Sequence, residues 1–583
     1  MASGQPTTAN QPLDGSAIPA RPGRFPTRRL LLVLALALGT CGWLVLLYAS
    51  SWRYAAGHSD NANSVLAGYD LFHGNVLLAG WTMTANTYWS IDLPFFGVFT
   101  ALWGVGPSAI HAVPVAIGAA LVVVGVACAV RDRRGVGGWI GSGVVLLLLG
   151  VPSPRASAYF LHGPQHVGTT LFCVVAFLLL GTRAGRLRWW LGVVLLGAAV
   201  LGDPLALAIG VAPVLGAGVL TGLRRRRWEP ALTLGAAALL AVVGAYLVHL
   251  ALQQADSYAL APLVPLPPAS QWITNLRVAP RLLLGLLGAS SDSGLSGLSR
   301  AGHVLGALAL VVATVDATAR AVGGVLRPRH LRLTPRWDAG PSALDDMLLL
   351  AFAGGLLTYV LIALPPNDLG GTRYLLPSFA YGAILTGRRA VAAVECLPRR
   401  GVPVAAAAVL AVGGLYLATS VDGLRGPAPV DPERELTDWL ATNDLHSGFG
   451  PYWSASTMTV KSGGSVNIRP LTSVDGRLRG NLFFASAKWF TSDSHRPRRF
   501  LVYVPGEHPY DGVDDQSAVS AFGPPVRTAQ VGAYRVLVWD RDLAPLLGPP
   551  WSPIPRPGSA SRLSWPVPNG WRAIAETSTN PDL

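Results

Sequence analysis

Lysine is almost missing from this chain: of 45 basic residues only Lys461 and Lys488 are lysines. Arginine carries the rest, and with the heavy use of Ala and Gly this points to a high-GC bacterial coding sequence. Cysteine is scarce too. Cys41, Cys128 and Cys173 fall inside apolar runs and Cys396 in an arginine-rich loop, which excludes a disulfide framework and any zinc-type ligand spacing. Beyond residue 420 there is no Gly-rich phosphate loop, nucleophile constellation or metal motif. A nucleic-acid footprint is excluded as well, despite the net charge of +14. From residue 421 onward 16 Lys and Arg balance 16 Asp and Glu, so the whole excess lies in the apolar part of the chain.

What the chain does have is apolar length. Eleven runs, at roughly 30–49, 108–130, 137–152, 166–182, 188–203, 205–222, 230–250, 302–318, 346–364, 374–387 and 401–420, predict about 11 transmembrane helices across a hydrocarbon core about 30 Å thick. Alternate gaps, beginning with the N-terminal tail, hold 23 Lys and Arg against six in the others. By the positive-inside rule the N-terminus is cytoplasmic and the segment after the last span is extracytoplasmic. The first run follows Arg28 and Arg29 but continues through Tyr48 without a small-residue cleavage site, so it reads as an uncleaved helix.

The expected organisation is a disordered cytoplasmic tail at 1–27, a transmembrane domain at 28–420 with a long first outer loop at 51–107, an extracytoplasmic α/β domain at 421–548 and a Pro/Ser-rich tail at 549–583. Within the loop, Ala62, Val65, Leu66, Tyr69 and Phe72 share helical spacing and suggest an amphipathic helix on the membrane surface. Past Ser420 short alternating runs read as helices at 432–442, 454–461 and 514–522 and strands at 447–452, 466–471, 500–504 and 533–539.

Candidate chemistry gathers at the outer boundary, where a membrane protein keeps ionisable groups only beside a cavity or partner. Asp60, Asp70 and Asp92 share the first outer loop with Arg53 and with rings and amides such as Trp81, Asn86, Tyr88 and Trp89, the groups that stack on and hydrogen-bond to sugars. The structural alternatives are that Asp60 caps the helix after it and that the tryptophans form an interfacial belt. His162 and His166 sit at another outer junction and read as phosphate or sugar contacts, with metal ligation or helix-entry polarity as alternatives. Asp203 before Pro204 reads as a structural turn.

Ser59-Asp60-Asn61-Ala62, Asp70-Leu71-Phe72, Gly74-Asn75 and Gly80-Trp81 resemble the first periplasmic loop of GT-C glycosyltransferases, including the protein O-mannosyltransferase-like and aminoarabinose-transferase-like groups. Gly104 to Pro107 and the helix after it, Gly371-Thr372-Arg373-Tyr374-Leu375-Leu376-Pro377, and Gly450-Pro451-Tyr452-Trp453 are similar to later segments of that family. The resemblance implies an inverting transferase moving a monosaccharide, mannose first among candidates, from a polyprenyl-phosphate carrier to an extracytoplasmic protein, glycan, lipid or glycopeptide. It also implies Asp60 as general base and Arg373 with Tyr374 on the leaving phosphate, Arg281 being a weaker second cation. Asn61 replaces the second acid of the usual Asp-Glu pair, leaving Asp70 and Asp92 as candidates for that role. Trp81, His162 and His166 complete the expected substrate contacts, with no cofactor and with divalent-metal dependence left open. A transporter or flippase of a lipid-linked glycan is the alternative, disfavoured by the lack of an internal repeat; a sensor or assembly protein built around the C-terminal domain is a third reading.

Overall fold

The computed structural model describes residues 26–552, apart from 56, 132–134, 182–184, 262–265, 292, 296, 327–341, 363–368, 427–430, 493–496 and 508–511. Residues 1–25 of the tail expected at 1–27 and most of that at 549–583 lie outside the described residues, while Pro26 and Thr27 already belong to helix. The chain divides into a unit at 1–46 and a unit at 47–583. The first contributes the opening turns of helix α1 (Pro26–Tyr54), and everything below concerns the second.

Every apolar run becomes helix. After α1 come α2 (Ser59–Phe72), α3 (Leu93–Trp103), α4 (Pro107–Val130), α5 (Val136–Leu148), α6 (Pro154–Phe160), α7 (Val167–Leu180) and α8 (Arg186–Gly202). A π-helical turn, Leu207–Val211, leads into α9 (Ala212–Arg225), then α10 (Glu229–Gln254), α11 (Ala269–Leu286), α12 (Gly297–Leu326), α13 (Ala343–Val360), α14 (Leu376–Glu395) and α15 (Gly401–Leu424). Seven helices among the described residues are long and apolar enough to cross a membrane. The runs expected at 137–152 and 166–182 yield helices of only 13 and 14 residues, roughly 20 Å at 1.5 Å per residue. The molecule is a multi-pass membrane protein.

At the arginine-rich ends the helices are tied by ion pairs. Arg224 bonds Asp346, Arg388 Nε meets Asp345 Oδ1 at 2.5 Å, and Arg389 and Arg320 share Asp316. Ser342 caps α13 reciprocally with Asp345.

Two short strands arise in the outer segments, β1 (Trp81–Met83) and β2 (Ala259–Leu260). The C-terminal domain adds α16 (Pro432–Thr442), β3 (Ser447–Pro451), α17 (Tyr452–Lys461), β4 (Asn467–Val474), β5 (Arg477–Asn481), β6 (Ala485–Ser486), β7 (Phe500–Tyr503), α18 (Asp515–Phe522), β8 (Arg527–Val531), β9 (Tyr534–Val538) and β10 (Gly548–Trp551). Seven strands make one mixed sheet in the order β10-β5-β4-β3-β7-β9-β8, with β3 parallel to both β4 and β7. Strand alternation divides the core: Ile468, Phe500 and Val502 pack with Leu436, Leu440 and Met458 on one face, and Phe449, Leu501 and Tyr503 with Phe522 and Trp539 on the other. This is a layered α/β domain.

A second sheet, β2-β1-β6, draws one strand from each outer segment and one from the C-terminal domain, with Trp81 opposite Ser486 and Thr82 opposite Ala259. Helix α2 departs from the expectation of a surface-lying amphipathic helix. Its Asn61, Asn63, Ser64, Ala67 and Gly68 are buried, whereas Tyr69 and Phe72 are exposed. The small residues allow close approach on two sides: α17 covers one, and on the other a Cβ on Gly68 would meet Phe96 Cβ at 2.6 Å in α3.

Candidate active site

His58 is the side-chain cap of α2, its Nδ1 accepting the Asp60 backbone N–H at 3.2 Å. Burial, aided by the nearby Arg373 guanidinium, pushes the His58 pKa down to about 4, so the ring is neutral at pH 7 and its Nδ1 lone pair serves as acceptor. That overturns the capping alternative for Asp60. Its carboxylate is partly exposed in the first turn, where the helix dipole favours negative charge. Asp60 Oδ1 accepts the Tyr452 hydroxyl at 2.7 Å.

The segment before α14 delivers Arg373. This side chain is half-buried; burial opposes its charge, the nearby Asp60 favours it, and the Tyr374 and Tyr88 phenols stand beside it. Its Cζ lies 5.3 Å from the Tyr374 ring centre, and its Nε–H has no acceptor among the described residues. A guanidinium with an N–H still open, beside a carboxylate and two phenols, is equipped to receive an oxyanion.

His166 adjoins the same group, its ring 4.7 Å from that of Tyr374. It is fully buried, and its Nδ1–H donates to Asp203 Oδ2 at 2.7 Å; Thr169 donates to the same oxygen at 2.6 Å and the Leu205 N–H to Oδ1 at 3.0 Å. Asp203 is therefore more than the structural turn expected: it fixes the His166 ring and tautomer. His166 and Tyr88, both beside these polar groups, are left-handed non-glycine residues, with φ of 65° and 53°.

Asp92 ends the stretch that begins at Tyr88. It is 1% exposed, its Oδ2 has no partner among the described residues, and a Cβ on Gly168 would lie 2.2 Å from that oxygen. Burial first, then the charge of Asp203, push its pKa up to about 8, so at neutral pH it holds its proton.

The remaining expectations fare differently. The His162 carbonyl accepts from the Asn61 amide and its ring stands edge-on to His58 at 4.4 Å, beside the base of α2. Asp70 and Trp81 answer to each other, the indole N–H donating to Asp70 Oδ2 at 2.9 Å. Trp81 is 1% exposed against Trp489 and Phe484, so this pair braces the outer loop beneath the C-terminal domain instead of meeting Arg373. Arg281 is exposed on α11. Sequence reasoning read Tyr88 only as one ring among many and Asp203 only as a turn, and it assigned His58 no capping role and Tyr452 no contact with Asp60, because their partners lie in other segments of the chain. A cleft of about 460 Å³ opens at the far, N-terminal ends of β3 and β4 near His446, Asn467 and Arg499, away from these groups. Among the described residues, no cluster of three or more His, Cys, Asp or Glu is arranged to hold a metal.

No model of a known protein family matches this chain, and no curated protein does. In structure it is similar to ArnT from Cupriavidus metallidurans in the apo state, at 14% sequence identity and a TM-score of 0.49, over 90% of this chain and 100% of that one. It is similar also to ArnT from the same organism bound to undecaprenyl phosphate, at 15% identity and a TM-score of 0.47, over 90% and 99% of the two chains.

Proposed function

We propose that this protein is an integral-membrane glycosyltransferase that moves one sugar, mannose being the first to test, from a polyprenyl-phosphate carrier to a hydroxyl acceptor outside the cytoplasmic membrane. The observation that carries the reading is the convergence of Asp60 and Arg373, from the first outer loop and a late outer segment, with Tyr88, Tyr374 and Asp203-anchored His166 around them. The ordered sequence motifs that resemble GT-C enzymes contain both residues.

The roles follow from chemistry. Asp60 takes the acceptor hydroxyl proton as that oxygen attacks the anomeric carbon. The bond from that carbon to the carrier phosphate breaks, its electron pair leaves with the phosphate oxygen, and Arg373 meets the resulting charge. Tyr374, Tyr88 and the His166 Nε2 edge supply neighbouring polar contacts. One displacement without an enzyme nucleophile inverts the anomeric centre. Asp70 and Trp81 act as braces and Asp92 as a neutral buried acid.

The test uses purified full-length protein in lipid vesicles with radiolabelled mannosyl-phosphoryl-decaprenol, and envelope from a strain lacking the gene as acceptor source. Label should move to the envelope fraction with the parent protein and fall on the order of 10²-fold or more with Asp60→Asn. No transfer of mannose or any other carrier-linked sugar by the parent, or undiminished transfer by the variant, overturns the reading.

A further inference from the structure

Tyr452 opens α17 immediately after β3 and is 3% exposed. Its hydroxyl donates to Asp60 Oδ1 at 2.7 Å, and Asn63 Nδ2 approaches the hydroxyl oxygen at 3.5 Å. The ring is held edge-on by Trp453 at 5.1 Å and Phe483 at 5.6 Å. The Tyr452 carbonyl accepts from the Ser59 hydroxyl. That backbone bond, the packing of α17 on α2 and the β1–β6 pairing already dock the domain, so the phenol hydroxyl is not needed for docking.

We propose that Tyr452 is the positioning residue of Asp60, so that the C-terminal domain completes the transfer site. This rests on the reading of Asp60 as the base. A carboxylate in a first helical turn has two free side-chain torsions. Tying Oδ1 to a rigid phenol restrains both and leaves Oδ2 to take the acceptor proton. Orientation of this kind changes the rate of the chemical step and leaves carrier binding, which belongs to Arg373, untouched.

The experiment compares Tyr452→Phe, Ser59→Ala and Asp60→Asn, full length and in vesicles, with the same decaprenyl donor and envelope acceptor. Tyr452→Phe keeps the ring and deletes only the hydroxyl. It should lower kcat about tenfold, the size expected for one hydrogen bond to a charged group, with donor KM within about twofold of the parent and an unchanged melting temperature. Ser59→Ala, which removes a docking bond and spares the phenol, should turn over as the parent does. A near-parental kcat for Tyr452→Phe overturns the proposal. So does an equal fall in Ser59→Ala, because docking would then be the cause. Failure of the underlying reading shows separately, as undiminished transfer by Asp60→Asn, and takes the proposal with it.

Discussion

At Arg373 two accounts of one side chain make opposite demands. An arginine that merely reaches for the interface at a helix end is replaceable by any long or small residue that inserts well. An arginine that receives a phosphate is not, because an ammonium lacks the two-pronged planar donor set. Its neighbours favour the second account: the open Nε–H, the Tyr374 ring at 5.3 Å and the proximity of Tyr88 and Asp60. Arg373→Ala should lose at least about tenfold in kcat/KM for the decaprenyl donor, since hydrogen bonds to charged groups contribute roughly 1.5 to 3 kcal/mol, and Arg373→Lys should recover part of it. Donor-dependence kinetics on both variants decide the matter; near-parental values for the alanine variant would remove Arg373 from the site. The residue was legible in sequence as a lone outer arginine inside Gly-Thr-Arg-Tyr. Its setting was not, because Tyr88 and Asp60 lie in another segment.

Among the elements, the junction of α3, α7 and α8 stores the clearest pH dependence. Asp92 precedes α3, Gly168 lies in the first turn of α7 and Asp203 ends α8. The Asp92 carboxyl has its pKa raised in the folded protein, to about 8 from 3.8. Between those values the folded state holds a proton that the unfolded state has released, so stability is full below the lower value and declines as pH rises through the upper one. Asp92→Asn abolishes that titration. Melting curves of parent and variant in one detergent should diverge from pH 6 to pH 9, the parent losing more; parallel curves would show that Asp92 does not titrate in this window. The helices of the C-terminal domain were readable because their apolar spacing is regular, as were the strands β3, β4, β7 and β9. β5 and β8 were missed: Arg477 and Arg479 in the first and Arg527 and Gln530 in the second give no apolar alternation, and these strands are held instead by pairing with β4 and β9. Helix α2 was misjudged because its apolar spacing read as one membrane-facing stripe, whereas the helix is buried through Asn61, Asn63 and Ser64 as well as through Ala62 and Val65.

For the molecule as a whole, the 23 to six arginine and lysine asymmetry predicts an N-terminus inside and an α/β domain outside. Alkaline phosphatase fused at residue 430 should be active and at residue 20 inactive; activity at residue 20 would invert the topology and move every assigned group to the wrong side. The polytopic plan was legible because bilayer thickness sets a length that composition alone reveals. The site was only half legible, since the chain brings it together through tertiary contacts. The small sheet β2-β1-β6 and the Tyr452–Asp60 bond also impose a schedule. The hydroxyl that holds Asp60 is 392 residues downstream of it, which at roughly 5–20 residues per second is about 20–80 s of synthesis. Throughout that interval Asp60 is unheld and β1 lacks its β6 neighbour. On the proposed reading of Asp60, the two gaps close only when the last domain is made, so a half-made chain turns over slowly and full activity coincides with the end of biogenesis.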